Sequence, residues 1–168
     1  MPGFLKSYVR IVDAVNRRIG RMTMYMIFAM IGLLMFSAIT RGVAVQPLWI
    51  LEMAQFMMVA YFLLGGPYSM QLGDHVRMDL LYGAWSDRTK TWVDAFTIVF
   101  LIVYLGILLY GGISASSYAI EYGERSYSAW RPYMWPIKLL STFGILLMLL
   151  QAIAEMIRDI AKLRGVTL

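Results

Sequence analysis

Four stretches of this chain are too apolar and too long to be at home in water. Met22 to Thr40, Met53 to Gly73, Ala95 to Ile120 and Leu139 to Ala154 contain no charged residue, and Met134 to Ile137 can extend the fourth. A membrane span needs about 20 mainly apolar residues to cross about 30 Å of hydrocarbon at a rise of about 1.5 Å per residue. The reading is an all-α membrane protein: one membrane domain over 1–168, with spans at about 22–40, 48–72, 87–122 and 134–157. Composition agrees, with 60% hydrophobic and 15% charged residues, where a soluble domain keeps roughly half of its residues polar. A cleaved signal peptide fits poorly, because the first apolar run exceeds the usual core of such a signal and no convincing small-x-small cleavage site follows it.

Charge sets an expected orientation. Lys6, Arg10, Arg17, Arg18 and Arg21 precede the first span. Arg77, Arg88 and Lys90 follow the second, and Arg158, Lys162 and Arg164 end the chain. The other side holds only Arg41, Arg125, Arg131 and Lys138. The positive-inside rule then expects both termini and the central connector in the cytoplasm. The net charge of +5 reads as basic loops against a lipid bilayer, not as a nucleic-acid surface. Between Gly3 and Arg21, apolar Phe4, Leu5, Tyr8, Val12, Val15 and Ile19 recur at helical spacing. This predicts an amphipathic interfacial helix leading into the first span; a solvated basic tail is the alternative.

The ends of the helices carry their own signals. Pro47 suits a first helical turn and Trp49 the membrane interface. Gly65-Gly66-Pro67 should kink or interrupt the second helix. Ser86 or Asp87 can cap the third, which at about 36 residues would span about 54 Å and protrude or tilt. The loop from Glu121 to Lys138 is rich in Tyr and Trp, which reads as an interfacial belt or a surface for an extracytoplasmic partner.

Chemistry is sparse. The chain has no cysteine and one histidine, His75, so ligation of haem by two histidines within the chain is excluded. Asp74, His75 and Asp79 make a weak metal set, and no nucleophilic triad or phosphate loop has a suitable context. Glu52 lies about 6 Å into the second span, reaching either to water or to a polar partner. Gly111, Ala115 and Ala119, with Gly112 and Ser116 alongside, form a small-xxx-small ladder that predicts close packing of the third helix. The first, second and fourth spans show no polar stripe, so no wall for an aqueous path is expected.

The connector is the distinctive part. "GDHVRMDLLY" follows the second span and "SDRTKTWVD" opens the third. With Gly73, His75, Val76, Arg77, Asp79, Ser86 and Arg88, and with Trp49 and Glu52 early in the second span, the chain resembles the small membrane subunit of tripartite ATP-independent periplasmic (TRAP) transporters. The resemblance runs from the first span to the fourth. It implies a scaffold subunit, not an enzyme, of a sodium-coupled symporter for organic acid uptake in a bacterial or archaeal inner membrane. The implied partners are a large multi-span membrane subunit and a periplasmic substrate-binding protein. It also implies no cofactor in this chain, with sodium held by the large subunit. Alternation in residues 75–80 would set His75, Arg77 and Asp79 on one side of the connector, to meet water, headgroups or a partner. Two other readings stand beside it: an autonomous proton-coupled exporter, disfavoured because the first span lacks a carboxylate, and a membrane anchor of a redox enzyme.

Overall fold

The structure, a computed structural model, describes residues 3–42, 47–72 and 87–163. Within these residues the chain forms four helices: α1 (Gly3–Gly42), α2 (Trp49–Leu72), α3 (Asp87–Glu121) and α4 (Trp135–Leu163). Each is long and apolar enough to cross a membrane. The described residues contain no strand, only an isolated bridge between Arg125 and Tyr133.

α4 is the hub. It packs against α3, α2 and α1, and α1 also packs along α2. Small residues set the close approaches, as expected in lipid, where packing and polar contacts replace the hydrophobic drive between helices. A Cβ at Gly144 would lie 2.8 Å from the Leu63 Cβ and 3.0 Å from the Leu63 carbonyl oxygen, so only glycine lets α4 meet the α2 backbone there. Most of the large apolar side chains on the membrane half of α1 and along α3, such as Phe28, Met35, Phe100 and Ile107, remain exposed.

Two boundaries differ from the sequence reading. The segments expected as an interfacial helix (3–21) and a first span (22–40) are one helix of 40 residues, roughly 60 Å long. No proline interrupts it, and its charged half is held in line by packing. Val9 and Val12 form a buried cluster with Ala154, flanked by Tyr8, Leu150 and Ile157, and the Tyr8 hydroxyl donates to the Leu150 carbonyl at 3.2 Å. Of the kink or interruption expected at Gly65-Gly66-Pro67, the interruption does not occur, for α2 continues through Pro67 to Leu72. Pro67 is buried, and a Cβ at Gly20 would overlap the Tyr68 side chain. α1 therefore packs closely on the turn after the proline, as neighbouring helices do around proline in membrane bundles.

α3 ends where expected. Gly123 adopts φ 57°, the left-handed conformation that glycine enters without strain. The Glu124 amide then donates to the Ala119 carbonyl at 3.1 Å, the six-to-one bond of a Schellman cap. The following loop is tied across itself. Ser126 N donates to Pro132 O and Met134 N to Glu124 O, each at 2.9 Å, and Lys138 pairs with Glu124. The Arg125 guanidinium lies 4.2 Å from the centre of the Tyr133 ring. Tyr127 projects fully into the surroundings.

Candidate functional site

The sequence candidates fall into three groups. Gly73, His75, Arg77, Asp79 and Ser86, together with Asp74, lie outside the described residues, and Arg88 falls in the first turn of α3 with its side chain undescribed. The second group opens α2. Trp49 stacks on Phe36 of α1, with ring centroids 6.4 Å apart and planes at 28°. Glu52, one turn later, is half-buried, and its Oε2 is shielded with no hydrogen-bond partner among the described residues.

The third group is the small-residue ladder, and the structure divides it. Ala119 and Ser116 are buried, and the Ser116 hydroxyl is 3.0 Å from the Thr142 hydroxyl of α4. A Cβ at Gly112 would sit 2.9 Å from that same Thr142 oxygen. The contact ladder against α4 is therefore 112–116–119. Gly111 is off it, with no atom within 4 Å of where its Cβ would be, and Ala115 is half-buried. The close packing expected at Gly111 is made by Gly112, because a helical turn of 3.6 residues aims neighbouring positions about 100° apart.

One constellation was not anticipated. Where the charged half of α1 crosses the end of α4, polar side chains from three helices form a connected clasp. Asn16 Nδ2 donates to Gln151 Oε1 at 2.7 Å. Gln151 Nε2 donates in turn to Asp13 Oδ1 at 3.2 Å and to Glu155 Oε1 at 3.0 Å. Arg158 closes the set by pairing with both carboxylates. From α2, Gln71 Nε2 reaches the Asp13 carbonyl at 3.4 Å. Asn16 and Gln151 are almost completely buried.

The apolar run 139–154 contributes only Gln151 to the clasp; the polar stripe on α4 runs on past the end of that run. Gln151, Glu155 and Arg158 recur at i, i+4 and i+7, one face of a helix, and meet Asp13 and Asn16 at i and i+3 on α1. The signal was present in the sequence, but the two halves lie about 140 residues apart and only the fold joins them. Asn16 Oδ1 and Gln71 Oε1 have no hydrogen-bond partner among the described residues, and the bonds that the other polar atoms make tie α1 to α4. One guanidinium between two carboxylates is an arrangement for holding helices, and the site it makes is structural.

Among the described residues no group of three or more His, Cys, Asp or Glu side chains comes together to hold a metal. What these residues offer is interhelical fixation on the inside, with a half-buried carboxylate at Glu52 and extended apolar helix faces on the outside. In the comparisons with known proteins, the family model for tripartite ATP-independent periplasmic transporters, DctQ component, matches residues 30–162. No curated protein and no solved structure matches the chain.

Proposed function

We propose that this chain, which belongs to the DctQ component family of tripartite ATP-independent periplasmic transporters, is the small scaffold subunit of a sodium-coupled importer of organic acids. The carrying observation is the family match, which covers all of α2 and α3, nearly all of α4 and the last third of α1. A multi-pass membrane protein and transporter component is established by that match and by the four spans. The finer assignments are the proposal. The chain binds a large multi-span membrane subunit that holds substrate and sodium, and a periplasmic binding protein delivers the substrate. It resides in a bacterial or archaeal inner membrane with both termini cytoplasmic, the orientation favoured by its basic residues. It acts as no enzyme and carries no cofactor.

Three features support a bracing role. The interhelical clasp and the glycine-mediated α2–α4 contact describe a stiff body. The exposed apolar faces of α1 and α3 widen the footprint in the bilayer. The connector residues Gly73, His75, Arg77, Asp79, Ser86 and Arg88, with Trp49 and Glu52, are the proposed contacts to the large subunit. The test is affinity purification of the tagged chain from its native membrane in mild detergent, followed by mass spectrometry. A stoichiometric large multi-span membrane protein is expected. Recovery of the chain alone, as a stable homo-oligomer, would overturn the reading.

A further inference from the structure

We infer that α1 carries a binding site for one anionic phospholipid, with the headgroup on Arg17, Arg18 and Arg21 and an acyl chain in the crevice between α1 and α2. The inference concerns this chain's own surface and does not depend on the proposed partner. Two adjacent clefts carry it. One, of about 710 Å³, is lined by Arg10, Arg17, Arg18, Arg21, Met22 and Tyr25. The other, of about 370 Å³, lies between α1 and α2 and includes Gly20, Met24, Phe62 and Gly65. They share no lining residue, but their α1 residues interleave over 20–25: Arg21, Met22 and Tyr25 line the first, and Gly20, Thr23 and Met24 line the second.

The placement follows from helix geometry. Arg10, Arg17 and Arg21 recur at i, i+7 and i+11 and share one face. The packed face, with Val12, Asn16 and Gly20, is centred roughly 120° away at about 100° per residue. The arginines therefore point away from the bundle, and all three headgroup arginines are exposed. None of them pairs with a carboxylate among the described residues. Asp13 also borders the cationic cleft, but its carboxylate is engaged by Arg158 and Gln151 from the bundle side, so it does not neutralise the arginines.

The position along the helix matches a headgroup. Arg21 is the last charge before the uncharged run from Met22 to Thr40. The guanidiniums thus stand at the border where phosphates lie, with Met22 and Tyr25 exposed on the hydrocarbon side. Charged guanidinium or ammonium groups form charge-assisted hydrogen bonds to phosphate oxygens, and basic residues next to a span attract anionic lipid. The neighbouring crevice supplies an apolar channel for a chain starting from that phosphate. A solvated stripe of arginines alone would need no such crevice.

The experiment is native mass spectrometry of the detergent-solubilised full chain, titrated with dioleoyl phosphatidylglycerol, dioleoyl phosphatidylcholine or dihexanoyl phosphatidylglycerol. The site predicts retention of the dioleoyl anionic lipid over both others, and weakening by about tenfold or more in R17Q/R18Q/R21Q. R17K/R18K/R21K, which keeps the charges, should retain most of the binding and shows that the helix is intact. Equal binding by wild type and the Gln variant would overturn the site, as would equal loss in the Gln and Lys variants. Equal retention of the short-chain lipid would refute the crevice. Displacement of the lipid by millimolar inorganic phosphate would assign the arginines to a soluble anion instead. A Gln variant that keeps the lipid but loses a co-purifying protein would assign them to a protein surface.

Discussion

Arg158→Met tests the clasp most sharply. Arg158 pairs with Asp13 on α1 and with Glu155 on its own helix, and the three side chains are 20–23% exposed. Removing the guanidinium leaves two carboxylates facing each other across the α1–α4 seam. An exposed ion pair is worth about 0–1 kcal/mol, whereas breaking a fully buried one costs about 3–5 kcal/mol. With about four-fifths of each side chain shielded, the expected cost is about 2–3 kcal/mol. At about 2–4 °C per kcal/mol for a domain of this size, the midpoint should fall by roughly 4–12 °C. The assay is thermal denaturation of the detergent-solubilised full chain, followed by tryptophan fluorescence and by loss of the monodisperse peak. Asp13→Asn removes one of the opposed charges while keeping an acceptor for Gln151. The double variant should therefore recover about 1 kcal/mol or more of the loss, a coupling within the range for residues in one network. Lys162→Met is the control: Lys162 is 67% exposed in its pair with Asp159 and should change stability by less than about 0.5 kcal/mol. A midpoint within about 1 °C of wild type for Arg158→Met, or strict additivity with Asp13→Asn, would refute the clasp as a connected unit.

Other predictions concern helix packing and assembly. Gly112→Leu should destabilise the isolated chain by about 1–3 kcal/mol, because its Cβ position meets Thr142 and overpacking costs that much, while Gly111→Leu should leave the isolated chain unchanged; equal effects in the same melting assay would contradict the 112–116–119 ladder. Gly144→Leu should split α4 from the Leu63 backbone and abolish the monodisperse peak on size-exclusion chromatography, and normal elution would show that the α2–α4 contact is dispensable. Arg77→Ala and Asp79→Ala should lower the yield of the complex with the large subunit, or lower transport, and full activity with normal yield in both would remove the connector from the proposed interface.

The four spans were legible because hydrocarbon imposes a length and an apolarity that few other requirements mimic. The end of α3 near residue 122 could be read from the run of charge-free residues, and the structure closes it at Glu121 with the Gly123 cap. The behaviour at Gly65-Gly66-Pro67 was not legible. Local rules favour a kink or break there, and the contact that packs the following turn joins Tyr68 to Gly20, forty-eight positions earlier. The same holds for the clasp: Gln151 looks like one polar residue in an apolar run until Asn16 and Asp13 are set against it. The ladder on α3 was found, but its facing was set by Thr142, a residue on another helix. For the connector, the spacing of Gly73, His75, Arg77 and Asp79 pointed to a family and thereby to a partner, since the work proposed for those residues is done on another chain.

The central claim, that this chain braces a transporter and does not itself transport, is tested by reconstitution. Proteoliposomes would carry the chain alone, its co-purifying large membrane subunit alone, or both, with the binding protein and an organic acid outside and an imposed inward sodium gradient. The account predicts no uptake by the chain alone and sodium-dependent uptake by the complete set. Uptake by the chain alone would contradict it, and so would undiminished uptake by the large subunit without this chain.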